Sequence, residues 1–281
     1  MTELRRPEAT LATAVPFEDR YEVLPFGKSE QQAAHVGEHL RLTVTTSPKH
    51  GVDRSLAVCE RLRALGHAVT LHVAARMVRG EAHADEILDR AKRAGIDDLF
   101  VIGGDAPEPL GPYAAAADLL DLIAAHPSRP ARLGIGGYPE GHPLIPQDAL
   151  DAVLEDKARV ADYMTTQLCF DTQALVRWLE SVRNRGIDLP LYVGAVGPVE
   201  RMRLLEISTK IGVGPSLRFL RKQRGLTALF RSPTDTAATF FTDAAPLVHE
   251  RALGIVGFHF FTFNDLLGTR RWVEERRERN G

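Results

Sequence analysis

Two glycine-rich runs carry the residue types most suited to chemistry. Gly136 to Pro143 reads GGYPEGHP, which ends an apolar stretch with a tyrosine, a carboxylate and a histidine in quick succession. Earlier in the chain, Val101 to Pro109 reads VIGGDAPEP, again an apolar stretch broken by paired glycines, a carboxylate and prolines. Glycine lets backbone approach a ligand closely, while tyrosine, carboxylate and histidine stack, accept hydrogen bonds and exchange protons. Each run therefore reads as a ligand-facing loop rather than a plain turn, and two such loops imply one shared pocket. Other polar residues close apolar runs in the same way: Glu22, Thr45, His72, Asp105, Tyr138, Glu140, His142, Gln167 and Asn264.

The elements that must position these residues alternate regularly. Short apolar runs at 21–26, 41–46, 68–73, 98–104, 132–138, 163–170, 190–196 and 254–263 predict eight strands. Between them lie patterns with apolar spacing of three and four, such as 55–66, 83–95 and 172–186, each closed by a glycine that suits a helix C-terminus. Eight βα units predict an α/β fold, a single-domain (β/α)8 TIM barrel whose active site gathers at the C-terminal ends of the strands. A doubly wound open sheet would also alternate. However, no GxGxxG follows the first strand, and Gly103, Gly104 and Asp105 lie well along the chain. Residues 1–17 carry little pattern and are expected to form an N-terminal arm, with 18–281 the catalytic barrel. The stretch 211–248 is long for one unit; VGPSLRFLRKQRGL (213–226) is expected to begin one helix and the region after Pro233 another.

Composition narrows the partner. The formal net charge is −2 with 26% charged residues of both signs, so nothing favours nucleic acid or an anionic membrane, and a small molecule is expected. Cys59 and Cys169 are far apart and form no CxxC pair, which suits a reduced, cytoplasmic setting. No signal peptide or apolar membrane span is recognisable, no Cys/His cluster has zinc-site spacing and no GxSxG occurs, so neither a metal nor a serine nucleophile is assigned. A homo-oligomer is left open.

Taken in order, the motifs resemble the methylenetetrahydrofolate reductase family, flavoenzymes that use NADH or NADPH to reduce a folate-bound methylene to a methyl group. YEVLPF is similar to the family's FEFFPP, GGDAPEP to RGDPP, GGYPEGHP to AAYPEVHP, MTTQLCFD to ITQFFFD and HFFTFN to HFYTLN, over about residues 18 to 270. The resemblance implies that Glu22 is the acid that opens the folate's five-membered ring to an iminium. It also implies that Asp105 sits beside both flavin and pterin, and that Gln167, Phe219, His259 and Asn264 meet the folate or nicotinamide. FAD contacts carry over to Thr45, His72, Gly104, Asp105, Tyr113, Ala114, Tyr138, His142, Asp151 and Lys157, the last by allowing one deletion. The residues alone leave plainer readings open: Glu22 paired with an arginine, Asp105 as a helix cap, Gln167 bonded to backbone, His259 as a satisfied core histidine.

This chain departs from the family pattern in three places. The second proline of the first motif is Phe26, the arginine before the Gly-Asp pair is Gly103, and the arginine after the last asparagine is Asp265. Loss of the arginine removes a bidentate phosphate donor, for which Arg76, Arg79 or the LRFLRKQRG run could substitute. The expected chemistry is a ping-pong relay through FAD. Two alternatives stand beside it: direct hydride transfer from nicotinamide to folate, and a folate-binding or methyl-carrier partner without redox chemistry. An aldolase-type barrel would want a lysine at a strand end, and none of the eight runs ends in one.

Overall fold

The computed structural model describes residues 17–142, 144–198 and 233–280. Eight parallel strands close into a barrel in sequence order: β1 Arg20–Val23, β2 Arg41–Val44, β3 Ala68–Ala74, β4 Asp98–Ile102, β5 Arg132–Gly137, β6 Tyr163–Thr166, β7 Leu191–Val196 and β8 Ile255–Phe261. All eight fall within the runs expected from sequence or within one residue of them. The described helices are α1 Ser29–Ala34, α2 Gly51–Ala64, α3 Glu81–Arg93, α4 Ala116–Ala125, α5 Gln147–Ala158, α6 Thr172–Asn184, α7 Pro233–Ala244 and α8 Leu266–Asn280. The helix expected after Pro233 is α7. The helix expected at 213–226 lies outside the described residues, as do Phe219 and all of the expected arm except Phe17. None of the described helices is long and apolar enough to cross a membrane.

The strands read as nearly continuous apolar runs because both faces are covered, one by helices and one by the barrel interior. Alternation still sorts the faces: on β1, Tyr21 stacks outward on Phe260 at 5.6 Å while Arg20 and Glu22 turn inward. Helix ends follow local chemistry. Asp171 caps α6 by accepting from the Gln173 and Ala174 N–H groups, and Asp265 accepts from Gly268 N–H in the first turn of α8. Asp265, read from sequence as a departure near the substrate, is thus a helix cap.

A polar layer seals the barrel floor. The Arg20 guanidinium lies 4.2 Å and 3.9 Å from the ring centres of Tyr163 and Tyr192 and pairs with Asp98 at 2.9 Å, while Tyr163 donates to the other Asp98 oxygen at 2.7 Å. Breaking such a buried pair from one side costs about 3–5 kcal/mol, so the layer is a fixed plug. Gly134 admits it: a Cβ there would lie 2.1 Å from the Tyr163 ring. With the floor filled, a ligand can reach the interior only from the C-terminal mouth.

Candidate functional site

Above the plug, β1, β2, β3 and β8 bring together polar groups that the barrel leaves partly unpaired. The Glu22 side chain is 11% exposed, and its Oε2 lies 3.3 Å from Nε2 of the buried His259. The two strands are neighbours only because the barrel closes, with Glu22 opposite Phe261 and Arg20 opposite His259 in register. Glu22 therefore meets a histidine, not the arginine of the plainer reading, and His259 is not a satisfied core residue, since its Nδ1 is buried without a partner. Beside it, His72 stacks on Phe100 at 4.6 Å with both ring nitrogens buried and unpaired. Burial, with a smaller contribution from the neighbouring His259, pushes His72 down to about 3, so it is neutral at pH 7. The hydroxyls of Thr43 on β2 and of Thr45 just beyond it are likewise buried and unpaired. Native interiors rarely tolerate such a concentration of unmet polar atoms, which marks this wall as a ligand-facing one.

The second cluster sits at the mouth, where β4 and β5 end. Gly104 has φ +90°, and a Cβ there would lie 2.8 Å from the Ala74 Cβ, so only glycine lets the chain turn against β3 and present Asp105. Asp105 is exposed and is not a cap, because α4 begins at Ala116 and its first turn is held by Asp118, which accepts from the Ala114 and Ala115 N–H groups. Tyr138 and His142 meet edge to face at 5.4 Å. Burial and then the Asp105 charge raise the Tyr138 phenol; burial lowers His142, while Asp105 acts in the opposite direction. Beneath them the buried Lys157 reaches from α5 to donate to the Gly136 carbonyl at 3.1 Å, and desolvation lowers it to about 8. No strand ends in a lysine of its own, as expected from sequence, but a helix brings Lys157 to β5.

The other expected site residues are placed elsewhere. Tyr113 is buried in the apolar core. Ala114 spends its N–H on Asp118 and its carbonyl on Arg76. Asp151 accepts from Gln147 and pairs with Arg185, the residue that follows α6, at 3.3 Å. Gln167 takes the Leu168 N–H on its Oε1, as in the backbone-bonded reading. Asn264 straps the barrel seam: Oδ1 accepts from Leu24 N–H at 2.9 Å and Nδ2 donates to the Phe26 carbonyl at 2.6 Å. That strap, with Arg54 donating to the Pro25 carbonyl and the Phe26 ring 5.1 Å from His50, fixes the loop that the missing proline put in question. Glu140 faces the next loop rather than the pocket, accepting from the Phe170 and Asp171 N–H groups.

Two arginines offered from sequence as replacement cations are engaged. Arg76 donates to the Ala106, Pro107 and Ala114 carbonyls and so clamps the β4–α4 loop; Arg79 pairs with Asp53 at 2.9 Å. The sequence reading missed the Arg76 clamp, and no pattern could reveal it, because backbone carbonyls carry no side-chain signature. Gly103 itself is open, with nothing within 4 Å of where a Cβ would stand.

Comparison with known proteins bears on this geometry. The family model for methylenetetrahydrofolate reductase matches residues 37–270. Methylenetetrahydrofolate reductase 1 of Schizosaccharomyces pombe is 30% identical over 120 residues, covering 39% of this chain and 20% of that protein. Reductase 2 of the same organism is 26% identical over 209 residues, covering 66% and 32%. The matches thus span between a fifth and a third of those relatives' length. Among solved structures, an uncharacterised Clostridium thermocellum protein that binds two copies of 5-methyl-5,6,7,8-tetrahydrofolic acid superposes with TM-score 0.63 at 14% identity, covering 94% of each chain. Dihydropteroate synthase of Thermus thermophilus superposes with TM-score 0.51 at 14% identity, covering 95% and 94%. At such identities these two likenesses speak for the fold alone.

Proposed function

The chain belongs to the methylenetetrahydrofolate reductase family, and on that premise we propose that its barrel reduces 5,10-methylenetetrahydrofolate to 5-methyltetrahydrofolate with NADH or NADPH. The observation that carries the reading is Glu22: a nearly buried carboxyl on β1, held against His259 over a sealed floor. Glu22 delivers its proton to the folate nitrogen that leaves the methylene, the ring opens, and the resulting iminium carbon takes a hydride. Asp105 at the mouth supplies a carboxylate to the pterin edge, and the closed floor limits water around the reacting carbon.

The described residues fit FAD at its ring end. Tyr138, His142, His72 and the unpaired Thr45 hydroxyl offer stacking and hydrogen-bonding groups, and Lys157 is a buried cation beside β5, suited to a diphosphate. When bound, FAD supplies a two-electron store that lets the nicotinamide and the folate use one pocket in turn, the ping-pong order. A second reading, direct hydride transfer from nicotinamide to the iminium without flavin, is favoured by Gly103 and by the engagement of Arg76 and Arg79.

The test is the visible spectrum of the purified protein with FAD, followed anaerobically on adding NADH. Flavin bands that bleach and then recover with methylenetetrahydrofolate support the relay; colourless protein that still oxidises NADH with folate supports direct transfer. Glu22→Gln is expected to keep the nicotinamide half-reaction and to lose folate reduction by about 10²-fold or more. Equal loss of both halves would remove Glu22 from the role.

A further inference from the structure

We propose that His259 is a positioning residue for Glu22, dictating which carboxyl oxygen carries the transferable proton. The inference deepens the reductase reading and rests on it. Among the described residues His259 is the hydrogen-bond partner of the Glu22 carboxyl, and it touches Oε2 alone. A neutral imidazole has one N–H and one bare nitrogen. Placing the proton on Nε2 gives Oε2 a donor and leaves Nδ1 as a bare acceptor, the cheaper of the two groups to leave unmet in its buried, partnerless position. With Oε2 accepting, the acid proton of Glu22 resides on Oε1.

The surroundings suit that arrangement. From β3, His72 presents a neutral ring; from β2 and the residue after it come the Thr43 and Thr45 hydroxyls; from β7 the register partner of His259 is Gly194, without a side chain. The charged neighbour one layer down, Arg20, is committed to Asp98. In the reaction the Oε1–H bond breaks and its proton goes to the departing folate nitrogen, which keeps the electron pair of the broken C–N bond. The other ring nitrogen forms the iminium, and the nicotinamide hydride, direct or through flavin, completes the methyl group. The Nε2–H stays on His259 throughout and stabilises the carboxylate left behind.

The experiment is a mutant cycle of wild type, Glu22→Gln, His259→Gln, His259→Asn, His259→Leu and the Glu22→Gln/His259→Leu double variant. Each is read by kcat for folate reduction, the Kd for 5-methyltetrahydrofolate and the thermal midpoint. His259→Leu is expected to lose about 10- to 100-fold in kcat, the value of one charge-assisted hydrogen bond, with Kd changed less than about threefold. His259→Gln, whose amide N–H can reach the Nε2 position, is expected to recover most of the loss, and the shorter His259→Asn to recover little. The double variant should be no slower than Glu22→Gln alone. Wild-type kcat in His259→Leu, equal impairment of the Gln and Asn variants, or multiplied losses in the double variant would overturn the proposal; should the Leu variant not fold, the Gln and Asn pair decides it. Full folate reduction by Glu22→Gln would overturn the acid role of Glu22 and the proposal with it, whereas failure of the wild type to reduce methylenetetrahydrofolate would instead overturn the reductase reading beneath it.

Discussion

Gly103→Arg is expected to tighten FAD binding, and the size of the effect follows from the structure. Gly103 closes β4 at the mouth, its backbone lies outside the left-handed region, and a Cβ there meets nothing within 4 Å. An arginine therefore enters without steric cost and can swing over the mouth. A charge-assisted guanidinium–phosphate contact contributes about 1.5–3 kcal/mol, and ordering the side chain takes back about 1 kcal/mol. The net of about 0.5–2 kcal/mol corresponds to about a 2- to 30-fold lower Kd. The assay is quenching of FAD fluorescence on titration with wild type and variant at one ionic strength. Gly104→Arg is the control: its φ of +90° and the Ala74 Cβ at 2.8 Å make the neighbouring site intolerant, so that variant should lose stability instead of gaining affinity. A Gly103→Arg protein with the wild-type melting point and a Kd within twofold would refute the reasoning, since a flavin diphosphate would then not pass over β4.

Two further outcomes follow from the same geometry. Lys157 is lowered by burial from 10.5 to about 8, so between those values the unfolded chain binds more protons than the folded one and stability rises with pH, by about 3 kcal/mol at most. Denaturant titrations at pH 7.5 and pH 10 should show that rise in wild type and not in Lys157→Met; a parallel rise in both would assign it to another group. Asn264→Ala removes both hydrogen bonds of the seam strap and puts alanine at φ +66°, which should cost about 2 kcal/mol and lower Tm by about 4–8 °C. An unchanged melting point would show that the β1–α1 loop is held by Arg54 and the Phe26–His50 contact alone.

The barrel was legible in the sequence because its signals are local. Each strand is a short apolar run, α2, α3 and α6 repeat every three to four residues and are closed by glycine, and the ordered motifs at the strand ends carried the family resemblance. Glu22, Asp105, Tyr138 and His142 were expected as site residues on the same ground, since residues that close strands in this fold face its mouth. The tertiary structure decided who meets whom. Barrel closure sets Glu22 beside His259, 237 residues apart. It turns Asn264 from a substrate candidate into a strap, gives Asp265 to a helix and Glu140 to a loop, and spends Arg76 on three carbonyls. It also carries Lys157 from a helix to the end of β5. Hydrogen-bond partners are fixed by distances of a few ångströms across the closed sheet, and linear spacing holds no record of them: pattern determined the elements, and packing determined the chemistry each polar side chain is free to do.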